Sequence, residues 1–127
     1  MTKREYVAIA LALLLIALSV WNIESIDSLT GDIEIALSKS QSAAEQLNFS
    51  SANAYLDEGL GRWLAAEGYT HIFLRHPEID STADAFYELK EVLMQEDLTA
   101  CAAAYGKLRY HLDSIRGMEH LSLGSIL

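Results

Sequence analysis

The 127-residue chain has one cysteine, one proline and half as many basic as acidic residues, nine against eighteen. Because Cys101 is alone, no intrachain disulfide can form and the fold must rest on its apolar core. No stretch alternates apolar and polar residues over a useful length, which argues against a sheet. Phosphate loops, dinucleotide fingerprints, nucleophile elbows, kinase motifs and zinc-ligand spacings are also missing. These absences predict an all-α chain that needs no cofactor and is not an enzyme, with catalysis kept as a remote alternative.

The basic residues are especially scarce after residue 23. Lys3, Arg4 and Glu5 are the only charged residues before Glu24, so residues 24–127 hold seven basic and seventeen acidic side chains, a net charge of −10. Nucleic acids and anionic lipid headgroups both attract basic surfaces. The charge therefore excludes nucleic acid as a partner. Its simplest meaning is solubility, and a cationic partner or metal ions are the sharper alternative.

One long apolar run is present, from Tyr6 to Ile23, with no charge, glycine or proline. As a helix, residues 6–23 would span about 27 Å, close to the ~30 Å hydrocarbon core of a bilayer. Tyr6 and Trp21 lie near its ends, where aromatic rings prefer the headgroup region. We interpret the run as a transmembrane helix that acts as a signal anchor in the cell membrane.

The orientation follows from the basic residues beside the span. Lys3 and Arg4 precede it, whereas the next basic residue is Lys39, so the positive-inside rule predicts a cytoplasmic N-terminus (residues 1–5) and an extracytoplasmic remainder. A cleaved signal peptide is the alternative, because Ala17 and Ser19 fit a small-x-small cleavage site. Both interpretations place the bulk of the chain outside the cytoplasm.

Residues 24–117 have the periodicity of four helices. Apolar residues recur in steps of three and four, and the seam of the first helix continues directly from the span. Asn48 and Asp97 are typical N-caps, with the second helix expected to start near Ser51, and Gly117 is predicted to end the fourth helix. We predict two αα-hairpins, tetratricopeptide-like or arranged as a four-helix bundle, with the C-terminal tail (118–127) packed on the domain.

The first and second hairpins also echo each other in sequence. Asn48-Phe49-Ser50-Ser51-Ala52 aligns with Asp97-Leu98-Thr99-Ala100-Cys101 at an offset of 49 residues. The period is longer than that of a tetratricopeptide repeat and the repeat signature is incomplete. We interpret each unit as the second arm of a helical hairpin, capped by Asn48 or Asp97.

Few side chains suggest a site. His76, Glu78 and Asp80 cluster at a turn and are weak candidates for a metal site, although helix capping explains the carboxylates more simply. Trp63 and Tyr105 are predicted to pack in the core, with an interaction surface at Trp63, Tyr105 and His76 as the functional alternative. Cys101 lies on an apolar seam and is predicted to be a buried hydrophobe.

As a whole, the pattern resembles a known family. A basic N-terminus, one span and two helical hairpins are followed by H-P-E-I-D at His76–Asp80 and S-L-G-S-I-L at Ser122–Leu127. This resembles the small membrane-anchored proteins of domain-of-unknown-function family 4363 from Clostridia-like Firmicutes. Members typically have Glu at the position of Pro77 and Leu-Glu-Asn-Ile-Leu in place of residues 123–127. The resemblance implies an anchored helical domain in a bacterial cell envelope and implies no activity.

Two functional hypotheses follow. The first is a membrane-anchored protein-interaction module, or an accessory subunit of an envelope complex, whose partners are the bilayer, another envelope or multi-pass membrane protein and, as a further option, a second copy of the chain. The second is a small-ligand or cation-binding sensor domain, which fits less well because only residues 1–5 would lie on the cytoplasmic side.

Overall fold

The computed structural model describes the backbone of residues 2–73 and 76–126 and the side chains of residues 2–66 and 78–118. The described residues form four helices and no strand: α1 (Lys3–Glu45), α2 (Phe49–Phe73), α3 (His76–Met94) and α4 (Leu98–Ile126). The all-α prediction is therefore confirmed.

The four helices form a closed ring. The short connections make successive helices antiparallel, and α1 packs along α4 as well as along α2, which distinguishes a bundle from an open stack of hairpins. Every helix contributes to one core, whose largest fully buried side chains are Ile26, Ile33, Leu37, Leu56, Trp63, Ile79, Phe86, Leu89, Leu93, Tyr105, Leu108 and Leu112.

α1 is much longer than the bundle. It runs through 43 residues without interruption, and Gly31 does not break it. Its buried residues begin at Asn22, whereas the large apolar side chains from Tyr6 to Trp21 are exposed, except for the half-buried Ile16. Among the described residues, α1 is the helix long and apolar enough to cross a membrane. Unlike a core helix, it leaves those apolar residues uncovered by protein.

The two hairpin turns lie at the same end of the bundle, which we call the bundle tip (residues 45–49 and 94–98). Each turn contains one residue with a left-handed backbone, Leu47 (φ 62°) and Glu96 (φ 56°), separated by the same 49 residues as the sequence echo. After α1, the Asn48 N–H donates to the Ala43 carbonyl over 2.9 Å and the Leu47 N–H donates to Ala44 over 2.9 Å. These two bonds make a Schellman ending of the helix.

The predicted caps hold the following helices. Asn48 Oδ1 accepts the Ser51 N–H at 3.2 Å. Asp97 Oδ1 accepts the N–H groups of Thr99 and Ala100 at 3.0 and 3.2 Å. Since each side-chain oxygen satisfies amide donors that the first turn leaves unpaired, both residues are true N-caps. α2 starts at Phe49, slightly earlier than predicted.

The prediction that Gly117 ends the last helix is wrong. α4 continues through Gly117 to Ile126, so residues 118–126 extend a helix. A single interior glycine costs only about 1 kcal/mol relative to alanine, which tertiary packing readily offsets. The side chains of residues 119–127 lie outside the described residues, and with them the predicted packing of the tail on the domain.

Gly59 marks a close approach between helices. A Cβ built there would lie 3.5 Å from Ala36 Cβ, 3.7 Å from Phe86 Cε1 and 3.9 Å from Ile33 Cγ2, so α2 is in van der Waals contact with both α1 and α3. Gly61 faces open space instead. Glycine therefore admits a neighbouring helix at Gly59 and not at Gly61.

Candidate functional site

The turn proposed as a weak metal site is only partly described. Glu78 is half-buried and its Oε2 has no hydrogen-bond partner, Asp80 is exposed, and the side chain of His76 lies outside the described residues. Within the described residues, no group of three or more His, Cys, Asp or Glu side chains is placed to hold a metal ion. Within the described residues, the structure therefore gives no geometric support for the metal site suggested by the sequence.

Trp63 lies in the centre of the core. It is fully buried and packs against Phe86 with ring centroids 6.4 Å apart and the planes tilted by 33°. Its indole Nε1 is buried without a hydrogen-bond partner. Because no face of the ring reaches solvent, Trp63 packs the core and does not offer a stacking surface.

A buried polar bridge joins three helices. Ser40 Oγ lies 2.7 Å from the Ala52 carbonyl oxygen and 2.6 Å from the Tyr105 hydroxyl, so the contact links α1, α2 and α4. Serine has one hydroxyl proton, which Ser40 donates to Ala52, and Tyr105 must then donate to Ser40. Ser40 and Tyr105 are almost completely buried, so the bridge fixes the helices relative to one another.

Burial raises the pKa of the Tyr105 hydroxyl, and the hydrogen bond to Ser40 opposes the rise only in part. In the unfolded chain the same group would ionise near its usual pKa of about 10. The folded state therefore retains a proton that the unfolded state loses. This contribution to stability is present below pH ~10 and is lost at higher pH.

We expect Ser40→Ala and Tyr105→Phe each to lower the free energy of unfolding, the former by about 1–3 kcal/mol because it leaves a buried hydroxyl donor unpaired. The double variant should lose less than the sum, with a coupling energy of at least about 0.5 kcal/mol. Urea unfolding of the full chain in detergent, followed by circular dichroism, measures all four proteins. The exposed Tyr110→Phe is the matched control, and strict additivity would contradict the bridge.

A small apolar crevice opens beside this bridge at the bundle tip, between the end of α1 and the start of α4. Its volume is about 140 Å³, and it is lined by Gln41, Ala44, Glu45, Leu98, Cys101, Ala102 and Tyr105. Cys101 is a buried free thiol whose pKa is raised by burial and by nearby Asp97. A raised pKa keeps the thiol protonated and unreactive, so Cys101 serves the crevice as an apolar wall.

A second set of polar contacts joins α1 to α4 farther from the tip. Arg116 donates to the buried Thr30 Oγ1 from Nη2 at 2.9 Å and from Nε at 3.2 Å, and Arg116 Nε lies 3.6 Å from Asp27 Oδ1. The contacts of Arg116 hold α4 against α1 next to Gly117. Arg109, two helical turns closer to the tip, donates to Gln41.

Within the described side chains of the bundle, the remaining basic groups contact carboxylates or an aromatic ring. Ion pairs join Arg62 to Asp32 (3.4 Å), Lys90 to Asp57 (3.0 Å) and Lys107 to Glu88 (2.8 Å). Lys39 lies over the Tyr55 ring, 5.9 Å from its centroid. These four basic side chains therefore already have partners along the sides of the bundle.

The aromatic residues predicted for the membrane interface are both exposed. Tyr6 is 62% and Trp21 54% exposed, and the latter lines an apolar recess of about 220 Å³ with Ser25, Leu29 and Ala66. The recess lies where the exposed apolar part of α1 meets the bundle. If the Trp21 ring lay in the headgroup region of a membrane, it would cover the end of the bundle next to the apolar run.

Comparison with known proteins gives one match. The profile of a family described as Domain of unknown function (DUF4363) matches residues 20–126. No curated protein and no solved structure matches the chain significantly. The family match begins at Val20, so it leaves most of the apolar run outside and covers the whole bundle. Since it includes more than half of the sequence, the chain belongs to the DUF4363 family.

Proposed function

We propose that this protein is a membrane-anchored, extracytoplasmic interaction module, an accessory subunit of an envelope complex. The continuity of α1 carries the proposal. One uninterrupted helix contains an exposed apolar run of membrane-spanning length and then forms a wall of the bundle. Apolar side chains from Tyr6 to Trp21 would be unstable in water and are stable in lipid.

The surface of the bundle supports binding to protein better than binding to lipid or nucleic acid. Residues 24–127 have a net charge of −10, and four of the six basic side chains that the structure describes there lie within 4 Å of carboxylates: Arg62, Lys90, Lys107 and Arg116. An acidic surface repels phosphate groups and attracts basic protein segments. The partner we propose is another envelope or multi-pass membrane protein.

The structural roles of two potentially reactive side chains, Cys101 and Tyr105, are consistent with a non-catalytic protein. Cys101 and Tyr105 are buried, and the latter holds the bridge to Ser40. Burial raises the pKa of both groups and keeps them protonated. They therefore stabilise the fold, and we assign them no reaction.

Purification from the native membrane in a mild detergent tests the proposal. We expect the tagged full chain to recover a second envelope protein in a fixed ratio, and a chain truncated after residue 30 with the same tag to lose it. The truncated chain retains the apolar run and loses the bundle, so it controls for non-specific association through the span. Recovery of the full chain alone as a monomer would contradict the proposed function.

A further inference from the structure

The bundle tip has apolar side chains that the fold does not need. Leu47 is 66%, Met94 73% and Leu98 40% exposed, in or beside the two hairpin turns. Leu47 also has φ 62°, a left-handed conformation that costs a non-glycine residue roughly 1–2 kcal/mol. An exposed leucine at a strained position gains no burial in return. The Schellman ending of α1 accounts for this backbone conformation but not for an apolar side chain in solvent, which is therefore free to contact a partner.

The apolar crevice of the tip adds a place for a side chain to enter. At about 140 Å³ it is close in size to the ~150 Å³ cavity that holds one benzene molecule in an engineered protein. Leu98 lines it and is also among the exposed apolar residues of the tip. The crevice and the apolar surface are therefore continuous, as at interfaces where one anchor side chain fills a pocket.

The charges around the crevice define the partner. The sequence has no Lys or Arg between Lys39 and Arg62 or between Lys90 and Lys107. Arg109 donates a hydrogen bond to Gln41, which lines the crevice, so this cation already has a partner. Within the described part of the chain, the tip residues Glu45 and Glu96 have no basic group within 4 Å, unlike the paired carboxylates on the bundle sides, and Glu45 lines the crevice. The tip is thus an apolar site with an unneutralised acidic rim.

We propose that the bundle tip binds a protein segment that inserts one apolar side chain into the crevice and places Lys or Arg residues against the rim. This inference rests on the proposed interaction function and identifies its docking site. A second copy of the chain is a poor occupant, because two acidic tips repel each other. Anionic lipid is disfavoured for the same reason.

The length of α1 sets the distance between the proposed membrane interface at Trp21 and the bundle tip. Glu45 follows Trp21 by 24 residues in one helix, which corresponds to roughly 36 Å at 1.5 Å per residue. A segment that reaches the crevice must therefore belong to a part of the partner that stands well clear of the bilayer surface.

Selection from a random twelve-residue peptide library displayed on phage, against the full chain in a non-ionic detergent, tests the tip directly. We expect enriched peptides to carry Phe, Leu or Met between Lys or Arg residues. The strongest peptide should bind at least tenfold more weakly to Ala102→Phe, which fills the crevice, while Ala103→Phe on the exposed neighbouring position should change binding less than twofold.

Reversal of the acidic charges at the rim of the crevice is an independent test. Glu45→Lys with Glu96→Lys should weaken the same peptide at least tenfold and reduce the salt dependence of binding, since the rim charges attract it. Asp113→Lys, an exposed position distant from the tip in α4, should leave binding within twofold. Leu47→Gly should raise the thermal stability of the chain yet weaken the peptide, which separates binding from folding.

The failure of this inference can be told from failure of the proposed function. If no basic-apolar peptides are enriched, or if the strongest peptide binds Ala102→Phe as well as the wild type, the tip assignment is overturned. A partner recovered from the native membrane in unchanged amount by the tip variants would also overturn it and leave the interaction function standing. A wild-type chain that recovers no partner contradicts the function itself.

Discussion

Replacing Leu11 and Leu15 together with arginine should release the protein from the membrane. Both side chains are exposed near the centre of the apolar run and lie one helical turn apart. Each arginine at the centre of a span costs about 2.5–3.5 kcal/mol of insertion free energy, so the pair costs roughly 5–7 kcal/mol. The fraction of protein in the carbonate-washed membrane pellet measures the effect, and we expect it to fall from nearly all to very little.

Ile35→Arg is the matched control for this experiment. Ile35 is 57% exposed on the same helix and lies in the bundle beyond the apolar run, so its replacement should leave the protein in the pellet. The mass of the intact membrane-bound protein tests the alternative of signal cleavage after Ser19, because cleavage removes the N-terminal residues. A double-arginine variant that stayed in the pellet, or a mature chain beginning near Val20, would refute the anchor.

Trp63→Ala should cause the largest loss of stability within the bundle. The indole ring is fully buried against Phe86, and removal of a buried tryptophan typically lowers the free energy of unfolding by about 3–5 kcal/mol through lost burial and an unfilled cavity. This is a large part of the 5–15 kcal/mol that stabilises a typical domain. Thermal and urea unfolding of the full chain in detergent measure the change.

Two variants control for the identity of the residue. Trp21→Ala removes the other tryptophan, which is 54% exposed, and should cost less than about 1 kcal/mol. Trp63→Phe keeps most of the buried ring and removes the indole N–H that has no partner, so its loss should be much smaller than that of Trp63→Ala. Equal losses at Trp21 and Trp63 would contradict the assigned core.

The sequence predicts local features of the fold well because their causes are local. The steps of three and four that include Ile26, Ile33, Ala36 and Ser40 identify the buried side of α1, and Asn48 and Asp97 occupy the N-cap positions that their side chains favour. The left-handed residues Leu47 and Glu96 were not predicted, although they are separated by the same 49 residues as the sequence echo. Gly117 misleads because its cost in a helix is small compared with the packing of α4 on α1.

The candidate site could not be predicted in the same way, because its parts are far apart in the chain. Ser40 and Tyr105 are separated by 65 residues, and the sequence suggests only that Ser40 is a close-packing position. The crevice likewise requires the end of α1 and the start of α4 to lie together. Leu47 continues the apolar spacing of α1 in the sequence. The structure shows instead that it lies in the turn with a left-handed backbone and an exposed side chain.

The unbroken α1 also has a mechanical consequence. In the proposed anchored arrangement, a helix without a break would couple the bundle to the bilayer, so that tilting of the anchored part would move the bundle tip sideways. A tilt of about 20°, ordinary for a single transmembrane helix, would displace a point roughly 36 Å along the rod by about 12 Å. Bilayer thickness would then set how far from its anchor the protein can reach.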